Sequence, residues 1–220
     1  MGVVLITGAN RGIGFELAKQ YQAGGDHVIA AVRQSSNELN ALGVDIHEGV
    51  DVGDHESVLA FKRKLGDQNI DILFNNAGLL TSEDMLDMNY DRIRRQFEVN
   101  TLGPLRMSHC FSPLLTRGSK IAIVSSRVGS MSDNRGGGNY GYRISKAAVN
   151  MVGKNLSIDF EPRGIGVYLL HPGYVSTGMV NFQGPVEPEI AAAGLIKVLD
   201  GLTIEQTGTF WHAEGYELEW

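Results

Sequence analysis

Short apolar runs recur along the chain, at Val3 to Ile6, Val28 to Val32, Ile70 to Phe74, Ile121 to Val124 and Ile165 to Leu170, with a weaker one near Val44 to Ile46. They are continuous rather than alternating, as a strand covered on both faces requires. Segments with helical spacing fill the intervals: Phe15 to Tyr21, Val58 to Leu65, Ile93 to Leu115, Ala147 to Phe160 and Ile190 to Leu199. Such alternation predicts an α/β fold, a doubly wound parallel sheet with helices on both faces. Gly208 to Trp211 could add an edge strand. No repeat, low-complexity tract or linker divides the chain, and its 220 residues fall inside the ~50 to 250 of one domain. Residues 1-220 therefore read as a single domain.

The first run leads straight into Thr7-Gly8-Ala9-Asn10-Arg11-Gly12-Ile13-Gly14, after which Phe15, Leu17 and Ala18 continue a helix. Strand, glycine turn and helix in that order suit a pyrophosphate, which needs close backbone approach and the positive end of a helix. The spacing is Thr-Gly-x-x-x-Gly-x-Gly, not the commoner Gly-x-Gly-x-x-Gly. A turn with a structural role only is the plainer alternative.

A second signal is Tyr142 with Lys146, four residues apart and so on one helical face. An ammonium ~5 Å from the phenol at an effective dielectric of about 20 is worth roughly 3 kcal/mol, or about two pKa units off tyrosine's ordinary ~10. Tyr142 would then serve as an acid or base near neutrality. Taken alone, the pair could equally be incidental on a surface helix.

Composition narrows the chemistry. Cys110 is the only cysteine, which excludes internal disulfides and any cysteine-based metal cluster, and the six histidines show no ligand spacing, so no metal is expected. A net charge of -6 disfavours nucleic acid and anionic membranes as partners. No stretch approaches the ~20 apolar residues of a membrane span. The first apolar run lacks a basic leader and reads as a strand rather than a signal peptide, which gives a cytoplasmic expectation. A small-molecule substrate is the better prior.

Further residues follow in order: Asp51-Val52, Asn75-Asn76-Ala77-Gly78, Asn100, Ser125-Ser126, Tyr142-x-x-x-Lys146, and Pro172-Gly173 with Thr177. With them the chain resembles the short-chain dehydrogenase/reductases, in the small carbonyl-reductase-like branch that includes the C-factor signalling proteins. The resemblance runs from Thr7 to Trp220. It implies a Rossmann-type dinucleotide-binding catalytic domain that reduces an aldehyde, ketone or quinone to an alcohol by hydride transfer. Gly8, Gly12 and Gly14 would let the backbone approach the cofactor phosphates, with Asn10, Arg11 and Ile13 beside them. Asp51 and Val52 would meet the adenine, and Asn76, Ala77 and Gly78 the ribose side. Pro172, Gly173, Val175 and Thr177 would flank the nicotinamide, with Thr177 near its carboxamide. Taken singly, Asp51 and Thr177 could be helix caps and Asn76 a turn residue.

The same resemblance assigns the chemistry. Tyr142 donates a proton to the carbonyl oxygen while Ser126 hydrogen-bonds it, and Lys146 depresses the Tyr142 pKa and holds the ribose hydroxyls. Asn100 would position a water that links Lys146 to solvent. Ser126 lies 16 residues before Tyr142, slightly wider than the family's commonest spacing, so Ser130 competes with it. Ser126 follows the fifth strand directly and is preferred; the extra residues fall in the polar stretch Asp133 to Asn139.

Cofactor choice turns on the end of the second strand, where NAD readers place an acid for the ribose 2'-hydroxyl. Here Ala31-Val32-Arg33-Gln34 has none. Arg33 and Arg11 could instead face a 2'-phosphate, and a charged hydrogen bond of roughly 1.5 to 3 kcal/mol would favour NADP about 10- to 100-fold. NADP(H) is thus expected, with NAD(H) still possible. The segment Gly178 to Pro185 is brief, so the lid should be small, with Met179, Phe182, Val128 and Met131 offering an apolar wall. The long helices Ile93 to Leu115 and Tyr142 to Phe160 correspond to those that pair subunits in similar proteins, so a homodimer is expected. The C-factor likeness keeps a second reading, a dinucleotide-sensing regulatory protein.

Overall fold

A computed structural model describes residues 1–220. An interior strand, β1 (Val3–Thr7), is covered on both sides, because its successive apolar side chains feed two different cores. Leu5 points into one, with Ile29, Leu73, Ile121 and Ile123. Val4 and Ile6 point into the other, with Val28, Phe74, Ala122 and Leu170. Alternation of side-chain direction explains why so short a run can carry no polar position.

Six further strands, β2 (His27–Ala31), β3 (Asp45–His47), β4 (Ile70–Asn75), β5 (Leu115–Val124), β6 (Gly166–His171) and β7 (Thr209–His212), complete a parallel sheet. Their order is β3-β2-β1-β4-β5-β6-β7. Winding reverses between β1 and β4, and at such a reversal a crevice opens outside the carboxyl ends of the strands. One face is covered by α1 (Gly12–Ala23), α2 (Asn37–Ala41) and α7 (Pro188–Gly201), through Leu17, Leu39, Leu195 and neighbours. The other carries α3 (His55–Leu65), α5 (Gly103–Phe111) and α6 (Tyr140–Phe160), with α4 (Tyr90–Phe97) packed on α6. The fold is thus a single-domain doubly wound α/β sheet of Rossmann type, and no helix is long and apolar enough to cross a membrane.

The expected helix from Ile93 to Leu115 is not one helix. It breaks into α4, a five-residue π turn at Glu98–Leu102, α5, and a 3-10 turn at Ser112–Leu114, with β5 already starting at Leu115. Pro104 gives a local reason: it has no N–H to donate to the Asn100 carbonyl four residues back. Gly103 lets this segment pack closely, since a Cβ there would lie 3.0 Å from the Val52 side chain. The helix α2 was not expected. It has five residues, too few for a periodic signal, and is held by Ser36, whose side chain accepts the Leu39 N–H at 3.1 Å.

Candidate active site

The glycine turn and the end of β4 form one unit. Gly8 (φ 69) and Gly12 (φ 54) occupy the left-handed region that favours glycine. A Cβ on Gly14 would lie 2.2 Å from the Gly8 carbonyl oxygen and 2.4 Å from Asn76 Nδ2. Asn76 Nδ2 donates to the Thr7 and Gly8 carbonyls at 3.0 and 3.2 Å, and Thr7 Oγ1 accepts the N–H groups of Asn76 and Ala77, each at 3.1 Å. Asn76 therefore latches the turn with its amide rather than presenting that amide to a ribose.

Helix α1 begins after Arg11 with no side-chain cap and no acidic residue in its first turn. Its opening N–H groups and dipole are left to an anion. Arg11 and Arg33 are exposed at the same edge and form no ion pair. From β6 the chain passes through Pro172, Gly173 and Val175 to Thr177, whose Cγ2 lies 3.1 Å from where a Gly12 Cβ would be. Gly12, Ile13, Asn10 and Thr177 thus share one end of the crevice. This cradle of backbone donors, glycines and free cations fits a phosphorylated dinucleotide.

Asp51 is held by partners within the protein. Its Oδ2 takes Arg95 Nη2 of α4 at 2.6 Å and its Oδ1 accepts the Gly53 N–H at 2.8 Å. Burial would raise this carboxyl, but the Arg95 and Gly53 hydrogen bonds, with the charges of Arg95 and Arg33, hold it below the usual range. Val52 is buried against Gly103. Nothing local in the sequence signals the Arg95 partnership, because 44 residues separate the two.

Ser126 lies two residues beyond β5 and caps a single 3-10 turn, Arg127–Gly129. That turn presses on α6: a Cβ on Gly129 would lie 2.6 Å from the Lys146 carbonyl carbon. The Ser126 hydroxyl thereby faces the Tyr142 phenol, near enough to draw its pKa down. Ser130 is occupied elsewhere, 3.1 Å from Ser132 Oγ and accepting the Asp133 N–H at 3.3 Å. Lys146 Nζ donates to the Val124 carbonyl at 2.7 Å and stands 5.6 Å from the Tyr142 ring centroid.

The expected depression of the Tyr142 pKa does not hold in this arrangement. Burial pushes the phenol up to about 12, with the Ser126 hydroxyl opposing, and pulls Lys146 down to about 8. The expectation counted the attraction between the two groups and omitted the desolvation of both, which dominates at this depth. His171, at the end of β6, was not expected: burial, then His212, Arg127 and Lys146, hold it at about 3, so its ring is neutral.

Asn100 lies in the π turn as a clamp. Its Nδ2 donates to the Leu79 carbonyl at 2.8 Å and to Ser145 Oγ at 3.0 Å, while its Oδ1 accepts the Leu79 N–H at 2.7 Å. Both amide hydrogens are thus committed, and the side chain fastens the residue after Gly78 to α6. Leu79 and Ser145 carried no motif signal.

Toward the open side, Met131, Met179 and Phe182 are exposed at 80, 42 and 72% rather than packed, with Val128 half-buried. Met179 leans over β4, its Cε 3.7 Å from a Gly78 Cβ position. The lid is brief, a 3-10 turn at Gly178–Val180 followed by Asn181 and Phe182 at φ 51 and 58. Positive φ at a bulky residue is uncommon and carries strain.

Residues 2–187 match the short chain dehydrogenase family. The whole chain is 46% identical to the whole of the 1-hydroxy-2-glutathionyl-2-methyl-3-butene dehydrogenase of Rhodococcus sp. strain AD45. Over 69% of the chain and 93% of the relative it is 40% identical to C-signal of Myxococcus xanthus. The NADPH-bound carbonyl reductase from chicken fatty liver has a similar structure, with a TM-score of 0.89 at 28% identity over 100% of this chain and 99% of that one.

Proposed function

The chain belongs to the short-chain dehydrogenase family, and from that membership we propose that it interconverts a carbonyl compound and its alcohol with NADP(H). One observation carries the reading: Lys146 stands 5.6 Å from the Tyr142 ring, one turn of α6 away and anchored to the end of β5, with Ser126 facing the phenol at the sheet edge that also holds the glycine cradle. When bound, the nicotinamide supplies or accepts the hydride. Tyr142, protonated at neutral pH, gives its proton to the carbonyl oxygen in the reductive direction, and Ser126 donates a hydrogen bond to that oxygen. The Lys146 ammonium stabilises the charge left on the phenol oxygen and holds the ribose hydroxyls. Asn100 braces Leu79 with its side chain, and its backbone carbonyl, which Pro104 cannot engage, holds the water between Lys146 and solvent.

Gly8, Gly12 and Gly14 with the α1 N-terminus bind the pyrophosphate, and Arg11 and Arg33 select the 2'-phosphate of NADP. The NADPH bound by the chicken enzyme supports that choice. Exposed Met131, Met179 and Phe182 favour a substrate with an apolar body. The Rhodococcus relative, by its name, oxidises an alcohol carrying a glutathionyl group, so bulky thiol conjugates belong among the candidates.

The experiment follows NADPH absorbance across aldehydes, ketones, quinones and glutathione conjugates, and NADP+ reduction with the matching alcohols, for wild type and Tyr142→Phe. Turnover by wild type that falls about 10²- to 10⁴-fold in Tyr142→Phe, with NADPH still bound, is the expected result. The likeness to C-signal supports the second reading, a cofactor-sensing regulator. Tight NADPH binding with no turnover across the panel would select it. Against it stands the intact group of Asn100, Ser126, Tyr142 and Lys146, since a sensor has no need of a phenol set beside an ammonium.

Pairing of subunits through α5 and α6 remains our reading of the assembly. Exposed Leu105, Met151 and Ile158 support it, as does a groove of about 550 Å³ lined by Leu105, His109, Leu156 and Phe160. Leu156 lies about 21 Å along α6 from Tyr142 at 1.5 Å per residue, too far for that groove to serve the chemistry.

A further inference from the structure

Glu83 is the one acidic residue of the chain that is buried, at 1% exposure, and it pairs with no cation. Three neutral donors satisfy it instead. Oε1 accepts the Thr81 hydroxyl at 2.6 Å, and Oε2 accepts Gln96 Nε2 at 3.1 Å and the Gly141 N–H at 3.3 Å. Gln96, itself fully buried, accepts the Thr81 N–H at 3.0 Å and so closes the network.

Gly141 is the second residue of α6, and that helix has no cap of its own. Asn139, at its N-cap position, is left-handed at φ 48, and its side chain is turned away to accept the Ser82 hydroxyl at 3.0 Å. The loop after β4 therefore caps the helix from outside, by a contact across 58 residues of sequence. A carboxylate at a helix N-terminus is favoured by the dipole. Yet an ordinary Ser or Asp at the N-cap meets the same need without burying a charge, which costs several kcal/mol. What the more expensive arrangement fixes is the first turn of α6, and Tyr142 is the next residue. Gly141 shows how tightly: a Cβ there would lie 2.2 Å from Gln96 Nε2 and 3.0 Å from Glu83 Oε2.

We propose that Glu83 is a positioning residue for Tyr142: through Gly141 and Gln96 it sets the first turn of α6 and with it the phenol's place beside Lys146 and Ser126. Glu83 touches no reacting atom. The inference rests on the reading of Tyr142 as the proton donor.

The test compares Glu83→Ala, Glu83→Gln and Thr81→Val with wild type and Tyr142→Phe. ¹³Cζ-tyrosine NMR reads the phenol without any substrate, the Tyr142 signal being the one that Tyr142→Phe lacks. A single signal in wild type should shift or split in Glu83→Ala and return in Glu83→Gln, whose amide oxygen still accepts the Gly141 N–H. With a carbonyl compound that wild type reduces, kcat should fall roughly 30- to 100-fold in Glu83→Ala, the size of an ~1 Å misplacement, with the NADPH KM within about twofold. Glu83→Gln should recover to within about threefold, and Thr81→Val should show the same kcat-only loss on a smaller scale if Glu83→Ala does not fold. An unchanged Tyr142 signal and kcat in the variants, or an NADPH KM that rises as kcat falls, overturns the proposal. Turnover by Tyr142→Phe would sink the proton-donor reading itself, whereas an inactive Tyr142→Phe beside a fully active Glu83→Ala sinks only the positioning role.

Discussion

On one side of the crevice, the glycine turn is fixed by backbone and amide contacts from β4; on the other, Met131, Met179 and Phe182 project into solvent from short loops. The first wall cannot shift without breaking Asn76's hydrogen bonds to Thr7 and Gly8. The second can change side chains with little effect on the core, because it scarcely touches it. A phosphate group is the same in every reaction cycle and suits a preformed site, while substrate choice varies most easily in loops on a rigid scaffold.

The sharpest way to break this contrast is Gly14→Ala. Its Cβ meets a backbone oxygen that cannot swing aside, so urea unfolding should show a loss of about 3 kcal/mol or more, with dinucleotide binding lost as well. A loss under about 1 kcal/mol would mean that the cradle yields and is not preformed.

Next in size is the titration of Lys146. Its pKa lies at about 8 in the folded chain, below the ordinary 10.5. Between those values the unfolded chain binds more protons at this group, so its contribution makes stability rise with pH across that window. ¹⁵Nζ NMR should show a midpoint near 8 that Lys146→Met lacks. A midpoint near 10.5 would show that the ammonium is not desolvated.

A tenfold to hundredfold drop in the NADPH to NADH ratio of kcat/KM is expected for Arg33→Asp, corresponding to about 1.5 to 3 kcal/mol. An unchanged ratio would remove Arg33 from cofactor choice. The smallest effect separates the two walls most clearly. Phe182→Gly relieves a left-handed backbone and should stabilise the chain by about 1 kcal/mol, while raising the KM for apolar carbonyl substrates severalfold. Stability and KM moving in the same adverse direction would place Phe182 in the core.

Sequence reading reached much of this because several signals are local. The strand, glycine turn and helix at Val3 to Leu17, and the four-residue spacing of Tyr142 and Lys146, depend on neighbours within one or two turns. Contacts with distant partners were not legible. The side chain of Asn100 is committed to Leu79 and Ser145, and the carboxylate of Asp51 is paired with Arg95, partners that lie tens of residues away. The sign of the Tyr142 shift was missed for the same reason, since spacing measures the distance to a charge but not the loss of water around it.

The order of apolar runs and glycines by itself determined a doubly wound sheet and the glycine turn at the end of its first strand, because side-chain direction and backbone freedom are properties of adjacent residues. Only the tertiary structure decided how far burial moves the protons of Tyr142 and Lys146, and that α6 takes its cap from Glu83. Those outcomes depend on desolvation and on contacts between segments that the chain separates by tens of residues, and no local pattern encodes either.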